Sequence, residues 1–234
     1  MSAPALITVA HGTRVAAGNR VAAVLTARAS RRLGVSGRAT YVELAAPTLA
    51  AVARDLDRPA VVVPLLLSTG HHVRHDLPAA VSPAPQPVRM TRPLGPHPLL
   101  AEVMCLRLRA AGARPGEPVV LVAAGSRDPD ADYDLASAAR LLRARWGGPV
   151  RHATVSGDGP GVHETVAASR ADGRTAVAPY LLAEGHFSRR VRALAVSAGA
   201  ATVADVLGPH PLVAELVVRR YLAAAARPDR RLAS

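Results

Sequence analysis

The chain has 234 residues, enough for one large domain or two small ones, and its net charge of +12 is carried by 29 basic residues that are all arginine. Aromatic residues make up only 3% and the arginines are scattered through predicted helices, which argues against nucleic-acid binding, where basic clusters alternate with stacking rings. One cysteine excludes an internal disulfide or an iron–sulfur site. Residues 1–25 lack a signal-like apolar segment and no run approaches the roughly 18 apolar residues of a membrane span, so a cytoplasmic protein is expected.

Short apolar runs alternate with longer amphipathic stretches: a strand over 5–10, a helix over 14–33, a strand over 39–44 and a helix over 47–56. The run 60–67 is apolar almost throughout, as expected of a strand buried on both faces, and ends at Ser68-Thr69-Gly70. A short helix over 73–81, a strand over 88–91 and a helix over 99–111 complete the first half. Residues 112–118 read as a linker, and strands over 119–123, 150–155, 175–182 and 200–206, each followed by a helix, repeat the order. Residues 227–234 read as a tail. Such alternation predicts an α/β fold of parallel four-stranded sheets with helices on both faces.

The repetition is literal. Leu94-Gly-Pro-His-Pro-Leu99 returns as Leu207-Gly-Pro-His-Pro-Leu212, and at the same offset His11-Gly12-Thr13-Arg14 aligns with Ala124-Gly125-Ser126-Arg127, and Glu43 with Ser156. Two similar domains are expected, 1–113 and 114–234, and the second has lost the reactive side chains of the first. The internal duplication suits a two-domain monomer.

In the first half, His11 follows strand one, Glu43 closes strand two, and His71 and His72 follow strand three. All are expected at the carboxyl edge of the sheet, where open α/β sheets bind ligands. Two imidazoles and a carboxylate can ligate Fe²⁺, Co²⁺, Ni²⁺ or Zn²⁺ and can act as general bases. Taken singly, His11 could be a turn residue and Glu43 a solvated strand end, whereas His71, His72 and His75 within five residues are harder to explain so. His97 and His210, kept in both copies of the repeated turn, read as helix-entry residues; Cys105 reads as core, and His152 and His163 as surface. Without lysine there is no Walker loop, and Gly157-Asp-Gly-Pro-Gly161 reads as a turn, so neither ATP nor a dinucleotide is expected.

Three segments in order, Ala10-His-Gly-Thr-Arg14, Val42-Glu-Leu-Ala-x-Pro-Thr48 and Pro64-Leu-Leu-Leu-Ser-Thr-Gly-His-His-Val-x-x-Asp-Leu-Pro78, resemble the class II chelatases of tetrapyrrole synthesis. The resemblance, to sirohydrochlorin chelatases of the CbiX and SirB type, covers nearly the whole chain in the fused two-domain form. It implies two flavodoxin-like or chelatase-like domains facing each other across a cleft. It also implies ATP-free insertion of Fe²⁺ (for sirohaem) or Co²⁺ (for cobalamin) into sirohydrochlorin, with His11 and His72 handling the metal and Glu43 accompanying them. Such a substrate carries eight carboxylates, for which Arg14, Arg74, Arg127 and Arg189 are candidates by proximity, with His186 as a further cleft contact. The rivals are a metal or tetrapyrrole carrier using the same cleft without turnover, and a histidine phosphatase, whose signature wants arginine where Ala10 stands.

Overall fold

Valine, leucine and isoleucine fill the buried centres of both sheets, and the chain reverses at glycine- and proline-bearing turns between them. The computed structural model describes residues 3–157 and 159–226; the expected tail over 227–234 lies outside them. In the first half come β1 (Ala5–Ala10), α1 (Ala16–Leu33), β2 (Gly37–Tyr41), α2 (Leu49–Arg54), β3 (Ala60–Pro64), a π-helical turn (His72–Asp76), α3 (Leu77–Val81), β4 (Val88–Met90) and α4 (Pro98–Ala110). The second half runs β5 (Val119–Ala123), α5 (Pro129–Trp146), β6 (Val150–Thr154), α6 (Val162–Arg170), β7 (Ala176–Pro179), α7 (His186–Ser197), β8 (Thr202–Val203) and α8 (Pro211–Ala225).

Each half forms a parallel four-stranded sheet, in the order β2-β1-β3-β4 and β6-β5-β7-β8. Ile7 pairs with Arg38 on one side and Val62 on the other, and Leu121 likewise with His152 and Ala178. The order reverses beside the central strands β1 and β5, which opens a crevice at their carboxyl ends. Several strands are shorter than their apolar runs. The third stops at Pro64 and the last spans two residues, because beyond those points the backbone bonds to loops instead of a ladder: Leu94 N–H donates to Leu66 O and Leu207 N–H to Leu181 O, both at 2.9 Å.

The outer faces have cores of their own. Ile7, Val9, Val62 and Leu77 cluster under α2 and α3 in the first half, and Val120, Val122, Val166 and Val191 under α6 and α7 in the second. The inner faces instead share one core, joining Leu6, Val61 and Val63 with Leu121, Leu142, Val217 and Tyr221. Within it the last helices are exchanged: α4 packs on α5 and β7, while α8 packs on α1, β3 and β4. Helices do cover both faces of each sheet, but one inner helix belongs to the opposite half. The inner cores of the two halves are therefore continuous with one another.

The repeated turns explain how the exchange is fastened. Arg107 on α4 donates to Leu207 O at 3.0 Å, and its counterpart Arg220 on α8 donates to Leu94 O at 3.2 Å. Each turn also starts a helix: His97 Nδ1 accepts from Leu99 N–H at 3.1 Å and His210 Nδ1 from Leu212 N–H at 3.2 Å, as N-cap side chains do. Only the neutral imidazole can accept. Burial, followed by the neighbouring Arg220 at His97 and Arg107 at His210, lowers both pKa values below 6.5. As pH falls through 6.5 the unfolded chain takes up protons that the folded chain resists, so this stabilisation is complete above that range and lost below it. Urea midpoints are expected to fall between pH 7 and about 5. The double variant His97→Asn, His210→Asn, whose caps do not titrate, should show a shallower fall; an equal fall would place the acid sensitivity elsewhere.

Candidate metal centre

His11 leaves the end of β1, and the turn behind it is tightly pinned. Asn19 on α1 accepts from Thr13 N–H at 3.0 Å and donates to Thr13 O at 2.7 Å. Glu43 does not close β2, which ends at Tyr41; it sits in the following loop, where its N–H donates to His11 O at 3.1 Å. That backbone approach needs Gly12, at φ +96°, where a Cβ would lie 1.9 Å from Glu43 O. Leu44, at φ 61°, then turns the chain away and leaves its side chain on the cleft lip. The result is a 3.6 Å approach of His11 Nε2 to Glu43 Oε1, with both side chains about half exposed, at 46% and 54%.

His72 opens the π-helical turn one residue before the expected helix. Its ring meets that of His11 edge-on, with centres 4.9 Å apart. Ligand atoms of His11, Glu43 and His72 all lie within 4.8 Å of one another, the one such group of three among the described residues. His72 Nδ1–H donates to Asp76 Oδ2 at 2.5 Å, which leaves Nε2 as the nitrogen available to a metal. Asp76 falls within the family-like segment that carries His72, but the sequence assigns it no role; its place four residues after His72 on a helical stretch was the available signal.

The second half holds this turn in place. Asp134 on α5 accepts from Thr69 N–H at 2.7 Å, Tyr180 donates to Leu67 O at 3.0 Å, and Arg74 pairs with Asp128, at 3.6 Å, and with Asp130. Burial, with Asp134 nearby, pushes the Tyr180 hydroxyl far above its usual range, so it serves as a donor. Nothing in the sequence marks Asp134, which acts on a loop 65 residues away.

Between the halves lies a cavity of about 780 Å³, within the roughly 300–1,000 Å³ usual for small-molecule sites. Leu44, Leu65, Leu67, Leu182 and Phe187 give it apolar walls, and His11 and His72 stand at one side. In the second half the backbone is retraced without the chemistry. Ser156 N–H donates to Ala124 O at 3.0 Å and Gly125, at φ +101°, repeats Gly12, but Ala124 and Ser156 stand where the first half has His11 and Glu43. Pro64 and Pro179 face equivalent positions of the central strands, so His186 answers to His71 and Phe187 to His72. His186 does line the cavity. Of the four arginines expected to meet carboxylates, Arg127 lines the cleft; Arg14 and Arg189 are exposed outside its lining, and Arg74 is engaged with the two aspartates. Cys105 is buried and His163 exposed, while His152 is half-buried, 3.8 Å from Asp132.

Duplicated parallel sheets around an apolar cleft, with two imidazoles and a carboxylate gathered at its wall, give the architecture of a class II chelatase. Both halves match the model of the CbiX family, over residues 5–111 and 118–224, and the chain belongs to that family. It is 28% identical to the sirohydrochlorin ferrochelatase of Bacillus subtilis (strain 168) over 246 aligned positions, covering 96% of this chain and 93% of the relative. It is 31% identical to the sirohydrochlorin ferrochelatase of Priestia megaterium over 154 residues, 60% of this chain and 58% of that one. Among solved structures it resembles SirB from Bacillus subtilis with Fe³⁺, with a TM-score of 0.77 at 26% identity and 96% of each chain covered. The fold also matches CbiX, described as the terminal enzyme for siroheme biosynthesis in denitrifying bacteria, with a TM-score of 0.72 at 20% identity over 94% of this chain and 99% of that one. No helix among the described residues is long and apolar enough to cross a membrane.

Proposed function

We propose that this chain is a sirohydrochlorin chelatase that inserts a divalent metal, Fe²⁺ or Co²⁺, into the tetrapyrrole in the cytoplasm without ATP or an organic cofactor. The observation that carries this reading is the His11, Glu43 and His72 cluster at the wall of an apolar cleft, in a family whose relatives bear that activity in their names. Catalysis belongs to the first half, 1–113; the second, 114–234, supplies the opposite wall and holds the His72 turn.

Insertion requires an ion that is held loosely, pyrrole nitrogens that can reach it, and acceptors for two N–H protons. Two imidazoles and one carboxylate fall short of the four protein ligands of a closed structural site, so coordination positions stay open to ring nitrogens. Glu43, half exposed and 3.6 Å from His11, offsets the charge of the ion and can accept a proton from the ring. The leucines and Phe187 bury the flat face of the macrocycle, and Arg127 and His186, both on the cleft lining, meet peripheral carboxylates.

The test is anaerobic incubation of the purified chain with sirohydrochlorin and Co²⁺ or Fe²⁺, without nucleotide, followed by the absorbance of the metallated ring. Insertion above the spontaneous rate is expected. Tight binding of both substrates with no insertion would instead identify a carrier, and a strict ATP requirement would refute the mechanism.

A further inference from the structure

The turn that carries His72 bears a second pair of imidazoles. His71 and His75 stand side by side, with ring centres 4.8 Å apart and planes tilted by 38°. Two imidazoles on one ion, with metal–nitrogen bonds of about 2.0–2.1 Å, place their ring centres roughly 4.5–5.2 Å apart for bond angles between octahedral and tetrahedral. This pair already has that spacing. Asp76 puts a carboxylate beside the pair without closing a group of three donors, its Oδ1 lying 3.7 Å from His71 Nε2 while its Oδ2 holds His72.

The position of the pair is as informative as its spacing. His71 lines the cleft and His75 does not, so the two straddle its lip, and both are exposed. The His71 ring centre is 6.5 Å from that of His72, one short step from the inner cluster. A net charge of +12 opposes the approach of cations in general, yet Asp76 lies on this turn, and the start of α5, where Arg74 reaches the capping Asp128 and Asp130, adds Asp132 and Asp134. The lip is thus a local acidic opening in a basic protein.

We propose that His71 and His75, with Asp76 beside them, form a second divalent-metal site, a staging post from which an ion passes to His72 and His11. The transfer is a ligand exchange in which the ion gives up His75 and then His71 as it gains His72 Nε2 and His11, with no change in its charge. Binding at the lip stands on geometry alone; the onward passage rests on the chelatase reading.

Equilibrium dialysis of the full chain against Co²⁺ alone separates the two. Two ions per chain are expected, one ion in His75→Ala or His75→Gln, one in His11→Ala, and none in the double variant His11→Ala, His75→Ala. A wild-type chain that binds one ion, retained by both His75 variants, would overturn the staging site. An ion lost only on changing His75 would uphold it and instead count against the inner cluster. With insertion followed at limiting Co²⁺, the His75 variants should slow on the order of tenfold, the effect of losing a locally raised metal concentration. An unaltered rate under those conditions would overturn the relay.

Discussion

Replacing either His11 or His72 with alanine is expected to lower the rate of metal insertion by at least ~10²-fold, the low end for removing a positioned acid–base group. Each variant removes one of only two imidazoles that meet at 4.9 Å, and the second half has Ala124 and Phe187 at the matching places. Both side chains are partly exposed, at 46% and 35%, and neither belongs to the apolar core, so thermal midpoints should stay near wild type. Glu43→Gln should impair insertion as well while keeping the shape of the loop. Wild-type turnover in all three variants, with stability intact, would put the reacting metal elsewhere in the cleft.

The next largest effect is expected at Asp76. Its hydrogen bond to His72 Nδ1 orients the ring, and removing such a partner typically costs 10–100-fold in metal affinity. Asp76→Ala should therefore weaken Co²⁺ binding at the inner cluster by about that factor, and Asp76→Asn, which can still accept from Nδ1–H, by less. Measuring Co²⁺ affinity in a His75→Ala background isolates the inner ion from the lip. Equal affinities for Asp76→Ala and the parent would mean that His72 is oriented by packing instead.

Strand ends and loop chemistry were readable because a parallel sheet gathers its carboxyl termini on one rim, so residues as far apart as His11 and His72 could be placed together from order alone. Boundaries were less readable where apolar character outlasts the ladder. Leu65 bonds to Val9 O, but Leu66 and Leu67 run on as cavity wall and loop anchor, and hydrophobicity does not distinguish burial in a sheet from burial in a cleft. Asp134 and Tyr180 were invisible because their work is done across the halves, on backbone atoms that no side-chain pattern records. The arginines mislead for a related reason: proximity in sequence placed Arg74 at a substrate, whereas the fold gives it two aspartates. The exchange of α4 and α8 leaves no local trace either, since an apolar helix face does not say which sheet it will cover.

That exchange has a consequence for how the protein is made. While the chain emerges from the ribosome, β1, β3 and β4 can assemble early, but the helix that packs on β3 and β4 is residues 211–225, made only after the whole of the intervening second sheet. Val213, Leu216, Val217 and Tyr221 arrive with it, and burying each is worth about 1.5–3 kcal/mol, together comparable with the roughly 5–15 kcal/mol net stability of a whole domain. The nascent first half must therefore wait, with apolar surface uncovered, until residues 211–225 have been made. Contacts that close over so long a stretch of chain are formed slowly, which makes synthesis, rather than the finished fold, the stage at which this protein is most exposed to aggregation.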